Sequence, residues 1–407
     1  KQSLSRRFTR RKRHGDLRPA VERLEDRTLL STFTVNSTAD TVDVNPGDGV
    51  AEDAGGATTL RAAIMEANSL SGDDTVNLPA GVYVLTITGP GENGSATGDL
   101  DIASNIDLVG DAAATTVIDA NAIDRVLDIL ENATVSISGV TFTDGRAPGP
   151  GQPGNGYGGG ISTGNGSTVT ISESVVSGNN GAFGTGGVAV LGDLTLLSST
   201  VSDNTTAYSG GGVWIWGSSA SGTLINTTVS GNSAANGGGV ATGHADATLS
   251  LQNSTIVNNS AGGRGGGVDD GTNPWSVEMI NSISWNNTAG TGPDASGSIT
   301  SLGHNIIGDD SDSDGWVASD QLNTAPQLGP LGDNGGPTFT HAPLVGSPAI
   351  DAGNPATTPA VDQRGATRPQ NGQAFAMFLP QPAISSTADT ARNVYATDLD
   401  GDGDTDV

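Results

Sequence analysis

The chain has 407 residues, of which 34% are hydrophobic but only 4% aromatic. That length allows a large core, yet too few rings are present to fill a wide globular interior, so a narrow core of Val, Ile and Leu is expected. The net charge of −27 is unevenly spread: residues 1–27 carry 10 of the 17 Lys and Arg against 4 acids, and residues 28–407 carry 7 against 40. An acidic body with no Lys after Lys12 excludes nucleic acid and anionic membranes or polysaccharides as electrostatic partners and favours divalent cations.

Residues 1–31 form a basic N-terminal segment, containing "RRFTRRKRHG", which is expected to be a disordered export or targeting tail. No apolar run of signal-peptide length follows it, and no run of about 18 apolar residues is available to span a membrane. The stretch Val21 to Ser31, "VERLEDRTLLS", resembles the LEPR-type signature that opens large exported proteins of planctomycetes, with Asp26 where that signature has Pro. Because the chain begins at Lys1 and stops inside a motif at Val407, it is expected to be a piece of a longer protein.

In residues 32–70, Leu60, Ala63, Ile64 and Ala67 recur on one helical stripe with Thr59 as N-cap, which predicts a short helix closing one end of the structure. The segments "TFTVNSTADTVD" and "GDGVAEDAGGATTLRAAIMEAN" resemble the CSLREA domain that precedes bacterial surface β-helices. Thr58 and Ala51 stand where that family has cysteines. This chain contains none, so disulfides and thiolate metal sites are excluded.

A repeat dominates the middle of the chain. With Val176, Val201, Val229 and Ile256 as position zero, Asn falls at +3, giving Asn179, Asn204, Asn232, Asn259 and, in a less regular copy, Asn287. Positions −5 and −7 are apolar, which is the strand period. Gly222 and Ser284 depart from the pattern, and Gly145 takes the Asn place in an earlier copy. Glycine clusters precede Ile161, Val188, Val213, Val240 and Val268 on the same beat, fixing a unit of about 25–28 residues.

One such unit cannot bury its apolar face, but stacked units can. Stacking at strand spacing puts each Asn over its equivalent, so the amides are expected to form a hydrogen-bonded ladder at a sharp corner. Within the repeat units no helical stripe, leucine-rich signature or Trp-Asp blade is present, which leaves an all-β, right-handed parallel β-helix over residues 32–300. The pairing of "GGGV" with an aliphatic-x-x-Asn resembles the repeats of chlamydial polymorphic outer-membrane proteins and the pectin-lyase-like superfamily.

Residues 301–370, with "SLGHNIIGD" and "LGPLGDNGGPTFTHAPLVGSPAIDAGN", resemble the C-terminal region of choice-of-anchor Q proteins, and structural roles are expected for His304 and His341. Residues 371–407 are a linker ending in "DLDGDGDTD". There Asp398, Asp400, Asp402, Asp404 and Asp406 have the spacing of a Ca²⁺ loop and resemble the opening of an FG-GAP or VCBS repeat. The four His are too scattered for zinc.

For catalysis, Asp269, Asp270 and Arg264 are the best candidates, yet neighbours in a strand point to opposite faces and converge only on a turn. The expected function is therefore a non-catalytic bacterial cell-surface or secreted scaffold, a stalk or adhesive surface. Its expected partners are cell-surface glycans or proteins and further domains after Val407. The alternative is a polysaccharide lyase or glycoside hydrolase of pectin-lyase-like fold.

Overall fold

The computed structural model describes residues 30–368, except 90, 148–156, 183 and 272–275. Short strands separated by glycine and asparagine turns coil into a parallel β-helix with three walls. The coil is right-handed, the hand that nearly all parallel crossovers adopt.

Wall one stacks Leu100–Ile102, Leu127–Ile129, Ile161–Thr163, Val188–Val190, Val213–Ile215, Val240–Thr242 and Val268–Asp269. Wall two runs from Thr32–Thr34 and Asp73–Leu78 through Asn105–Gly110, Thr168–Ser172 and Thr248–Gln252 to Val277–Ile280. Wall three runs from Gly81–Val84 and Thr116–Asp119 through Val175–Ser177 and Thr228–Ser230 to Ile283–Trp285, and continues in Ile306–Ile307 and Gln321–Leu322. The nine-residue strand Ala295–Gly303 bends through walls one and two in a single piece.

The register explains the periodicity. Leu127, Ile161, Val188, Val213, Val240 and Val268 pair in one inward column of wall one. In wall three, Phe142, Val176, Val201, Val229, Ile256 and Ser284 pair in another. The aliphatic members are buried, and each contributes about 1.5–3 kcal/mol on transfer from water.

Both departures from the repeat have local causes. A Cβ on Gly222 would lie 2.5 Å from Ile215 Cδ1, so the isoleucine of wall one occupies the volume that wall two leaves empty. Ser284 is fully buried, but its hydroxyl donates to the Asp294 carbonyl at 2.6 Å, which satisfies its polar group.

The N-terminal end is closed by the helix Leu60–Ser69, in which Thr59 caps the first turn by accepting from the Ala62 amide at 3.1 Å. Arg61 fixes the helix to the first rungs. Fully buried, it places Nε 2.5 Å from Asp40 and donates to the carbonyls of Ser95, Gly98 and Asp99.

After Leu322 the chain turns back along the outside of wall three. An antiparallel pair, Leu328–Gly332 with Thr340–Pro343, leads this strap. The Gln363 amide then donates to the Ser199 carbonyl and accepts from Thr228 Oγ1, while buried His341 lies 2.9 Å from Ser230 Oγ and 2.8 Å from the Gly329 carbonyl. His304 Nδ1 lies 2.9 Å from the Ala352 carbonyl. Both histidines thus bind the strap to the helix.

Candidate functional site

The five repeat asparagines stack inside one corner. Nδ2 of Asn179, Asn204, Asn232 and Asn259 each donates to Oδ1 of the next Asn at 2.9–3.0 Å, and each backbone amide reaches the same oxygen. At the upper end the Gly145 amide donates to Asn179 Oδ1, and at the lower end Asn287 donates to Asp294 Oδ1. The left-handed turn is made one residue earlier, at Asp144, Gly178, Asp203, Gly231, Asn258 and Asn286. A residue with φ near +60° swings the chain round the corner, leaving the next side chain aimed inward.

A second column escaped the sequence reading although it was visible there, two residues before each position zero. Ser174, Ser199, Thr227, Ser254 and Ser282 occupy the neighbouring corner, where a buried side-chain oxygen commonly accepts the amide of the rung before. The column ends on Asn305 and then Asp320. Both ladders are internal and saturated, which suits them to structure.

Chemistry that can meet a ligand lies on the outer surface of wall one. Asp101, Asp128, Ser162, Ala189, Trp214, Ala241, Asp269, Ser296 and Asp312 follow one another in register, forming one outward column. Acidic groups occupy its two ends and a tryptophan pair its middle.

At the first end, Asp99, Asp101 and Asp128 present carboxylate oxygens within 4.8 Å of one another. A cation is already among them: Arg125 Nε lies 2.6 Å from Asp99 and Nη1 lies 3.4 Å from Asp128. Burial pushes the Asp101 carboxyl up to about 7, and it also raises Asp99, Asp124 and Asp128. A cavity of about 490 Å³ opens beside Asp128, with Glu131, Ser162 and Asn165 on its walls.

Further along, Trp214 in the strand Val213–Ile215 and Trp216, one residue past its end, bring their rings together, with centroids 4.5 Å apart and planes tilted by 32°. Their rings lean over the next rung because Gly243 lies there. A Cβ at Gly243 would come within 2.5 Å of Trp214 Nε1 and 2.6 Å of Trp216 Cε3. Small Ala241, between Trp214 and Asp269 in the register, leaves a hollow of about 170 Å³ bordered also by Asn236 and Arg264.

The sequence-predicted acids part company here. Asp269 projects into this hollow, its Oδ1 3.3 Å from Arg264 Nε and accepting from the Gly271 amide. Burial pushes its carboxyl up to about 6, against the pull of the Arg264 guanidinium. Asp270 instead accepts from the amide and hydroxyl of Ser276 and from the Ser298 amide, holding adjacent turns together. Arg264, the third candidate, is the ion-pair partner of Asp269, with its side chain about a third exposed.

The predicted Ca²⁺ ligands Asp398, Asp400, Asp402, Asp404 and Asp406 lie outside the described residues. Among those described, no helix is long and apolar enough to cross a membrane.

No family model matches the chain, and no curated protein sequence matches it. Among solved structures, it is similar to the crystal structure of pectate lyase Pel9A at 13% identity and a TM-score of 0.43, over 86% of this chain and 96% of that one.

Proposed function

We propose that the chain is an exported cell-surface or extracellular scaffold, non-catalytic, whose β-helix serves as a stalk and as an adhesive surface for glycans or proteins. The observation that carries this reading is the fate of the candidate catalytic pair. A glycoside hydrolase uses two carboxylates about 5–9.5 Å apart across a substrate bond. Here Asp270 is committed to Ser276 and Ser298, leaving Asp269 with Arg264.

Further support comes from the regular internal ladders, from the acidic body without Lys, and from the segments that resemble CSLREA and choice-of-anchor Q regions. The same proposal assigns Ca²⁺ to Asp398, Asp400, Asp402, Asp404 and Asp406 on their spacing alone. Calcium titration of the full chain by calorimetry tests it: heat of binding that disappears in Asp398→Ala/Asp400→Ala is expected, and its persistence would reject the assignment.

One observation favours the alternative, a carbohydrate-active enzyme: a carboxyl near 6 in a surface hollow can exchange protons at neutral pH. The test is incubation with neutral and uronic polysaccharides with Ca²⁺. No new reducing ends and no unsaturated products are expected; product formation lost in Asp269→Ala would overturn the scaffold reading.

A further inference from the structure

The geometry points to a sugar-binding subsite on wall one, in which one ring of a neutral pyranose polymer stacks on Trp214 and Trp216 and bonds its hydroxyls to Asp269, Arg264 and Asn236. This deepens the adhesive reading and rests on it only in taking the sugar to leave unchanged.

A pyranose has an apolar face of axial C–H groups and an equatorial belt of hydroxyls. It therefore needs a flat aromatic surface with donors and acceptors at its edge. Trp214 and Trp216 supply the surface, half-buried and held over Gly243. Neither indole N–H has a hydrogen-bond partner among the described residues.

The edge groups lie on the same hollow. Asp269 Oδ1 is occupied by Arg264 and Gly271, whereas its Oδ2 takes no hydrogen bond from the described residues and can accept from a hydroxyl. Asn236 Oδ1 accepts from the Arg264 backbone amide at 3.2 Å, which leaves the side-chain Nδ2 for the ligand. The Arg264 side chain, about a third exposed, adds donors to the rim.

Size decides that one ring of a longer chain is bound. The hollow of about 170 Å³ is well below the ~300–1,000 Å³ of pockets that engulf a whole small molecule. Asp128, beside the larger cavity, is three rungs from Trp214, roughly 14 Å at strand spacing, with the buried Ser162 and Ala189 between them.

Charge decides that the sugar is neutral. Arg264 already faces Asp269, while Asp270 and Asp312 lie nearby and the body carries a large negative charge, so a uronate would be repelled.

The test is calorimetric and tryptophan-fluorescence titration of the full chain with cellohexaose, xylohexaose, mannohexaose and laminarihexaose, with hexagalacturonate as the charged comparison. Saturable binding to at least one neutral oligosaccharide is expected, weakened at least tenfold by Trp214→Ala and about threefold by Arg264→Gln, with both variants melting as the parent does. If Trp214→Ala does not melt cooperatively, the half-exposed Arg264→Gln carries the test. No binding to the neutral panel at millimolar concentration, an unchanged affinity in the variants, or tighter binding of hexagalacturonate would overturn the inference. Turnover of a bound sugar would instead reject the non-catalytic reading and leave the subsite standing.

Discussion

Asn287 donates to Asp294 through both its side-chain amide, at 2.8 Å, and its backbone amide, at 2.9 Å, and so ends the asparagine column on a carboxylate from the next turn. Each asparagine above it needs an acceptor below. Asp294 supplies the last one, and the register of the column is thereby fixed at its foot.

The middle of the column is the place to test its worth. Asn204→Ala would leave the Asn179 amides without their acceptor and the Val176 carbonyl and Asn232 Oδ1 short of a donor, all in a dry interior. Buried polar groups left unpaired cost about 1–3 kcal/mol each, with relaxation recovering part, so a loss of roughly 2–4 kcal/mol is expected in urea unfolding. Sugar binding at Trp214 should be unaffected.

Gly222 sits where the repeat calls for an aliphatic residue, yet Gly222→Val is expected to destabilise the protein by about 1–3 kcal/mol, because Ile215 already fills the site. The double variant Gly222→Val/Ile215→Ala should recover most of the loss. Additive losses in a double-mutant cycle would rule out the shared volume.

Arg61→Leu should be more damaging than any exposed charge change. It leaves Asp40 buried without its guanidinium and the Ser95, Gly98 and Asp99 carbonyls without donors, and removing one partner of a buried pair costs about 3–5 kcal/mol. The expected readout is earlier melting with faster hydrogen exchange in Leu60–Ser69.

Stability should fall as pH rises from about 4 to about 7. Asp101 and Asp269 have folded-state values of about 7 and about 6, above the ordinary carboxylate value they regain on unfolding. Between those values the native state holds more protons than the unfolded one, so raising pH removes stability until the folded-state values are passed, and the curve then levels. Asp101→Asn keeps an acceptor for the Ser95 amide and should gain about 1–3 kcal/mol over the parent at pH 8 but little at pH 4. Urea midpoints across that range measure it, and parallel curves for the two proteins would contradict the assignment.

Much of the architecture was written in one dimension. Period-two apolar residues, recurring asparagines and glycine clusters on one beat dictate stacked rungs, because only stacking buries a face so narrow, and the position-zero residues do pair directly. The helix and its Thr59 cap were legible for the same reason: local spacing and capping chemistry decide them. Position within a repeat also marked the serine and threonine column, although no single copy of it is conspicuous.

Contacts between segments far apart in the chain were not legible. That Asp294 and Asp320 end the ladders, that Arg125 sits among Asp99 and Asp128, and that Gln363 straps Ser199 to Thr228 depend on how turns of unequal length bring those residues together. The tryptophan hollow is of this kind. A spacing of two fits a shared face for Trp214 and Trp216, but Trp216 lies one residue past the strand Val213–Ile215. It takes the coiling of the chain, which stacks Ala241 and Asp269 onto Trp214 and sets Gly243 beneath the rings, to make that face concave.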